Sequence, residues 1–132
     1  MPRKKKPIDK LDIYVECQTL IKLIYEMQFT LNKKDRLALY PFLIDKSLKI
    51  PGFIAKAKRC KETEYQSLQE MIAAFEEIKM ILRIMIDEKI ITSDSIKIRI
   101  FTSICAIDRN LDKWYSYKSD QVNKKIMSSK QC

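Results

Sequence analysis

Glycine is almost absent from this chain, and its scarcity limits the folds that the chain can adopt. Gly52 is the only glycine in 132 residues, which also include four prolines. Tight turns depend on these two residue types, so we expect few, long elements joined by short connections. A chain of this length with 46% hydrophobic and 33% charged residues is predicted to form one globular, helical domain.

Apolar residues recur at helical spacing in four segments. This pattern predicts an all-α, antiparallel up-down-up-down four-helix bundle over residues 9–119. The predicted helices cover residues 9–31, 33 to about 61, 63–89 and 93–118. Residues 1–8 are predicted to be a disordered basic arm, and residues 120–132 a polar basic tail.

Polar residues mark where the later helices should begin. Asn32 is predicted to be an N-cap, Thr63 with Gln66 a capping box, and Thr92-Ser93-Asp94 the cap of the last helix. The second predicted helix contains Pro41 and Pro51-Gly52. A proline within a helix removes a hydrogen bond and clashes with the preceding turn. We therefore expect kinks at these two points, or a division into two or three shorter helices.

The predicted fourth helix carries apolar residues on two sides. Ile98, Phe101 and Cys105 form a face about 100° around from the main seam. Such a helix needs two partners, and the pattern leaves open whether the second face self-associates or is covered by wide packing in one protomer. The main seam consists of Ile96, Ile100, Ile104, Ile107, Leu111 and Trp114.

Basic residues are concentrated in the second predicted helix, residues 33–61, which holds nine of them against two acids. One face of this helix is predicted to be buried, and it contains Tyr40, Leu43, Ser47, Ile50, Ile54 and Ala57. Another face presents Lys46, Lys49, Lys56 and Arg59. The alternative interpretation is an ordinary solvated lysine face.

The distribution of charge along the chain favours a polyanionic partner. The net charge is +9, yet residues 11–32 and 62–112 each contain more acids than bases. The excess positive charge therefore lies in the second helix and in the two terminal segments. Clustered cations gain free energy by releasing counterions when they meet phosphates, so nucleic acid is the predicted partner.

Enzyme chemistry lacks its usual residues in this sequence. Histidine is absent, and the four cysteines are widely separated with no CxxC pair, so no zinc site is expected. One glycine cannot build a phosphate-binding loop. We therefore expect no catalysis, no metal and no cofactor, and reduced thiols at Cys17, Cys60, Cys105 and Cys132.

Aromatic residues near the end of the fourth helix offer possible stacking surfaces. Tyr117 and Lys118 are candidates for contact with bases and phosphates. Trp114 continues the apolar seam and is predicted to belong to the core instead. The basic N-terminus is followed by Ile8-Asp9-Lys10-Leu11-Asp12 and not by an apolar stretch, so no secretory signal is expected. No apolar run is long enough for a membrane span.

Two stretches of the chain resemble a known family. The segments EIKMILRIMIDEKIITSDSIK (77–97) and IDRNLDKWYSYK (107–118) resemble the accessory variability determinant of diversity-generating retroelements. The segment KSLKIPGFIAKAKRC (46–60) is similar to the second helix of the wider four-helix-bundle family, which includes proteins encoded in intervening sequences of 23S ribosomal RNA genes. The resemblance covers residues 11–118, and Arg83 and Arg109 match arginines of the family pattern. The alternative role for these two arginines is buried pairing with Glu76 or Asp112.

The resemblance implies a four-helix protomer assembled into a pentameric barrel. It also implies a basic outer surface that binds the retroelement's reverse transcriptase and its template RNA, in a bacterial or phage-encoded, cytoplasmic protein. Such an accessory protein does no chemistry itself but is required for its partner to make mutagenised complementary DNA. The candidate nucleic-acid-binding residues are Lys46, Lys49, Lys56, Lys58, Arg59, Lys61, Arg83, Arg109, Lys113 and Lys118.

Two other functions are compatible with the sequence. One is a protein-interaction bundle of the 23S intervening-sequence type, with no role in a retroelement. The other is an amphipathic protein that binds membrane surfaces, which a liposome pelleting assay would test.

Overall fold

The computed structural model describes residues 11–130, with side chains to residue 127, and this part of the chain is helical with no strand. Short 3-10 turns at Gln28–Thr30 and Lys61–Thr63 precede the second and fourth helices. The helices are α1 (Asp12–Met27), α2 (Lys33–Ala38), α3 (Tyr40–Arg59), α4 (Glu64–Asp87) and α5 (Asp94–Lys130).

The four long helices form a bundle around one hydrophobic core. α1 packs against α3 and α5, and α4 packs against the same two helices. The all-α prediction and the helical bundle are therefore confirmed. The largest side chains with almost no exposed surface are Phe75, Ile24, Met27, Leu43, Ile54, Leu68, Met71, Ile78, Leu82, Met85, Ile100 and Ile107.

The buried face of α3 is the one that its sequence predicts. All six residues of the predicted stripe, from Tyr40 to Ala57, are buried. Tyr40 also donates a hydrogen bond from its hydroxyl to the Ile24 carbonyl oxygen in α1, at 3.0 Å. Burial raises the pKa of this phenol above its ordinary value. The bond satisfies the one polar atom that this tyrosine brings into the core.

The second predicted helix is in fact two helices, α2 and α3, which are separated at Leu39. Pro41 lies in the first turn of α3, where its missing N–H would have had no partner within the helix. The division expected near Pro41 is therefore confirmed. At Pro51 the helix continues without interruption, so no division occurs there. Gly52 follows with open space where a Cβ would stand, so no close contact requires a glycine.

Two of the three predicted caps form. The Asn32 side-chain oxygen accepts a hydrogen bond from the Asp35 N–H at 2.9 Å, and the Ser93 hydroxyl oxygen accepts one from the Ile96 N–H at 3.3 Å. The predicted Thr63 capping box is wrong, because the Thr63 side chain caps nothing. Thr63 ends a 3-10 turn with φ −105° and ψ 7°, and an N-cap residue ordinarily adopts extended backbone.

The last helix is longer than predicted. α5 runs to Lys130 instead of ending near residue 118, so the predicted polar tail is helical in its described part. No glycine or proline follows Tyr117, and nothing in the sequence stops the helix there. The predicted basic arm, residues 1–8, lies outside the described residues.

The second apolar face of α5 is not covered by the described part of the chain. Ile98 is 66% exposed and Phe101 is 70% exposed, and Cys105 is half-buried. The main seam packs inward as predicted, with Ile100, Ile107 and Leu111 buried. Packing among the described residues therefore leaves Ile98 and Phe101 exposed. Across residues 11–130, no helix combines the length and the hydrophobicity that crossing a membrane requires.

Candidate nucleic-acid interface

A groove of about 870 Å³ opens at one end of the bundle. The start of α1, the end of α3, the first residue of α4 and the C-terminal half of α5 meet there. These segments come together because the turn at Lys61–Thr63 reverses the chain between α3 and α4, and because α5 extends well past its predicted end. The groove is lined by Leu11, Lys58, Arg59, Lys61, Glu64, Tyr117, Lys118, Gln121, Lys124 and Lys125.

The groove is strongly basic. Among the described residues, its lining contains six cationic side chains and a single carboxylate, that of Glu64. Like charges held together in this way repel one another, and an anionic ligand relieves that repulsion. Within the described part of the chain, only Lys118 among these cations forms an ion pair, and the five others, Lys58, Arg59, Lys61, Lys124 and Lys125, form none.

Glu64 connects α4 to two residues of α5 in the wall of the groove. Its carboxylate pairs with the Lys118 ammonium at 2.9 Å and accepts a hydrogen bond from the Trp114 indole N–H, also at 2.9 Å. The Glu64 and Lys118 side chains are only 12% and 15% exposed. The Lys58 ammonium lies over the indole, 4.4 Å from the ring centroid, a cation–π distance. Trp114 is half-buried, in agreement with its predicted place in the core seam.

The pKa of Glu64 reflects this environment. Burial alone would raise the pKa of this carboxyl. The hydrogen bonds from Lys118 and Trp114, together with the charges of Lys118 and Lys58, outweigh burial and hold the pKa below its ordinary value of 4.5. Glu64 is therefore ionised at neutral pH, and its negative charge faces the ammonium groups of Lys118 and Lys58.

Replacing Glu64 with glutamine is expected to lower the free energy of unfolding by about 1–2 kcal/mol at neutral pH, because Lys118 loses its charged partner. A carboxyl with a depressed pKa stabilises the fold above its unfolded-state pKa, and that stabilisation is lost as the pH falls through the folded-state value. The difference between wild type and Glu64→Gln should therefore be full above pH 4.5 and shrink at lower pH.

Urea unfolding at a series of pH values measures this difference, with the exposed neighbour Glu62→Gln as the matched control. Glu62→Gln is expected to change the free energy of unfolding by less than about 0.5 kcal/mol. A difference for Glu64→Gln that stays constant down to about pH 3 would contradict the assignment of the ion pair.

The structure brings four of the ten candidate residues into this groove: Lys58, Arg59, Lys61 and Lys118. Three others are engaged by carboxylates elsewhere on the surface. Lys46 pairs with Glu77, Lys49 with Asp45 at 3.3 Å, and Arg83 with Asp87 at 3.8 Å.

The remaining three candidates, Lys56, Arg109 and Lys113, are exposed outside the groove. Arg109 lies one helical turn beyond Cys105 on α5, which places it next to the uncovered apolar face. Its guanidinium is not buried against Asp112, and Arg83 pairs with Asp87 and not with Glu76. The cation face predicted on α3 is thus partly neutralised, whereas the groove is not.

Five lining residues were not among the candidates that the sequence suggested: Leu11, Glu64, Gln121, Lys124 and Lys125. Three of them lie in the segment interpreted as a tail. The continuous run from Tyr117 to Lys130 without glycine or proline was the signal that could have revealed them as helical. Glu64 carried no such signal, since its partners lie 50 and 54 residues away in the sequence.

Metal-ligating residues do not cluster in residues 11–127, where no group of three or more Cys, Asp or Glu side chains could hold an ion. Cys17 is buried, and burial raises the pKa of its thiol to about 12, so it behaves as a small core hydrophobe.

Fold and groove together define a helical bundle with a basic cleft at one end. Comparisons with protein-family models, curated proteins and solved structures found no match to this chain.

Proposed function

We propose that this chain is a non-catalytic, nucleic-acid-binding helical bundle. Its role is to support mutagenic cDNA synthesis in a diversity-generating retroelement, by binding the reverse transcriptase and its template RNA in the cytoplasm. The observation that carries the nucleic-acid part is the groove, whose described residues include six cations and one carboxylate that is already paired. The reverse transcriptase and the retroelement come from the family resemblance.

Counterion release is the physical basis of the binding. Free cations in a groove concentrate counterions, which return to bulk solvent when phosphates replace them. Lysines that already have carboxylate partners, such as Lys46 and Lys49, contribute less to this term. The groove cations are therefore the main phosphate contacts, and Lys56, Arg109 and Lys113 add weaker contacts around the bundle.

The up-down-up-down order belongs to the same proposal. Glu26, near the end of α1, is 3.7 Å from Arg99 near the start of α5, while Leu11 and Gln121 share the groove at the other end. The pairs Lys79–Asp108, at 3.1 Å, and Glu64–Lys118 support opposite directions for α4 and α5 in the same way.

A homo-oligomer, with five protomers as the family resemblance implies, is also part of this proposal. The uncovered face at Ile98 and Phe101 supports it, since exposed apolar patches mark association sites.

Light scattering of the purified protein, alone and with structured RNA, tests the proposal. A mass near five protomers and an RNA affinity that falls steeply with salt would support it. A monomer that does not bind RNA would overturn it. A reverse transcriptase gene and a template repeat beside the coding sequence would support the retroelement role specifically.

The second candidate is a protein-interaction bundle of the 23S intervening-sequence type, without a retroelement role. The exposed apolar face of α5 favours it, because such a face suits a protein partner as well as a second copy. An oligomer or complex that forms normally but never binds RNA would favour this candidate over the first.

A further inference from the structure

We infer that the basic groove binds a single-stranded segment of nucleic acid, with one base stacked on the ring of Tyr117 and the adjoining phosphates held by Arg59, Lys61 and Lys124. This inference rests on the proposed function and adds the form of nucleic acid and the contact that selects it.

Tyr117 is an exposed aromatic ring in the wall of the groove. Tyr117 is 62% exposed, and it is the one aromatic residue among the described lining residues. The nearby Trp114 ring is covered by the Lys58 ammonium and its indole N–H is taken by Glu64. Tyr117 is therefore the ring that a base entering the groove can reach.

A relay of hydrogen bonds holds the Tyr117 side chain in place. Its hydroxyl accepts a hydrogen bond from the Gln121 amide nitrogen at 2.8 Å, and the Gln121 carbonyl oxygen accepts one from the Lys118 ammonium at 3.1 Å. Lys118 is anchored in turn by its ion pair with the largely buried Glu64. A ring ordered before binding loses little conformational entropy when a base stacks on it.

Stacking on this ring requires a base whose face is free. Bases within a duplex are stacked on one another, so proteins use aromatic stacking mainly with loops, bulges and single strands. The groove volume of about 870 Å³ is that of a small-molecule site, which admits a few nucleotides of one strand but does not enclose a duplex.

The cations around Tyr117 suit a strand that passes over it. Arg59 and Lys61 lie where α3 ends, and Lys124 lies two helical turns beyond Tyr117 on α5. All three are exposed. A base on the ring would therefore have positive side chains within the same groove for the phosphates that adjoin it.

Fluorescence anisotropy with a labelled short oligouridine RNA, free and annealed to its complement, tests the inference at one fixed ionic strength. Tyr117→Leu removes the ring and is expected to weaken single-strand binding about 10-fold, the effect of losing one stacked base. Its affinity for the duplex should stay within about twofold of wild type. Tyr117→Phe keeps the ring and should retain most of the single-strand affinity.

The matched control is Tyr25→Leu, which removes an equally exposed tyrosine (57%) at the other end of α1 and should leave both affinities unchanged. Equal single-strand binding by Tyr117→Leu and wild type would overturn the inference, as would an equal loss for single strand and duplex. In both cases salt-dependent RNA binding by the wild type would leave the proposed function standing. A wild-type protein that binds neither probe would overturn both.

Discussion

Reversing three groove cations, in the variant Arg59→Glu/Lys61→Glu/Lys124→Glu, is expected to weaken RNA binding on the order of 100-fold at moderate salt. For a single strand, each cation that contacts a phosphate makes the plot of log affinity against log salt concentration fall more steeply, by about 0.7 in slope. Removing three such contacts should therefore reduce the magnitude of that slope by about 2. The introduced carboxylates add repulsion to this loss. All three side chains are exposed, so the fold is not expected to change.

The control variant is Lys33→Glu/Lys34→Glu/Arg36→Glu in α2, which changes the net charge by the same amount. α2 follows α1, whose 16 residues separate it from the groove by about 24 Å at the rise of an α-helix. Titrations over a salt series, with circular dichroism to check folding, compare the two. An equal loss in both variants would show that overall charge, and not the groove, determines affinity.

The largest expected effect on stability is that of Phe75→Ala, which should lower the free energy of unfolding by about 3–5 kcal/mol. Phe75 is 1% exposed and borders a void of only about 10 Å³ that it shares with residues of all four long helices, including Cys17, Ile50 and Ile107. Packing there is already tight, so truncation leaves a cavity that the helices cannot close. A loss of this size is a large part of the stability of a typical domain.

Urea unfolding measures this loss, with Phe42→Ala as the control. Phe42 is 61% exposed on α3, and its truncation is expected to cost less than about 0.5 kcal/mol. The milder Phe75→Leu keeps the comparison possible if Phe75→Ala fails to fold. Similar costs for Phe75→Ala and Phe42→Ala would mean that the helices do not meet at Phe75.

Helix faces were predictable because burial repeats with the period of the helix. The stripe on α3 and the seam on α5 both follow from apolar residues three and four apart, and both are buried in the structure. The second apolar face at Ile98 and Phe101 was predictable for the same reason, but the sequence left open whether packing covers it. The Asn32 cap also followed from local sequence, because an N-cap bonds a backbone N–H only three residues away.

Features that depend on distant partners were not predictable. The cation face of α3 looked uniform in sequence, yet Lys46 is neutralised by Glu77, 31 residues further on. Thr63 and Gln66 match the capping-box pattern, but no capping box forms, because the preceding turn gives Thr63 backbone angles unsuited to an N-cap. The end of α5 was misplaced because polar composition was interpreted as a tail, although composition alone does not end a helix.

The sequence by itself determined that this protein is helical, where its buried faces lie, and that its cations greatly outnumber its acids. Those properties depend on local spacing and on simple counts. Only the tertiary structure decided which cations are free and which are paired, since an ion pair depends on helices that meet in space. It also assembled the groove, because Lys58, Glu64 and Lys118 become neighbours only when α3, α4 and α5 pack together.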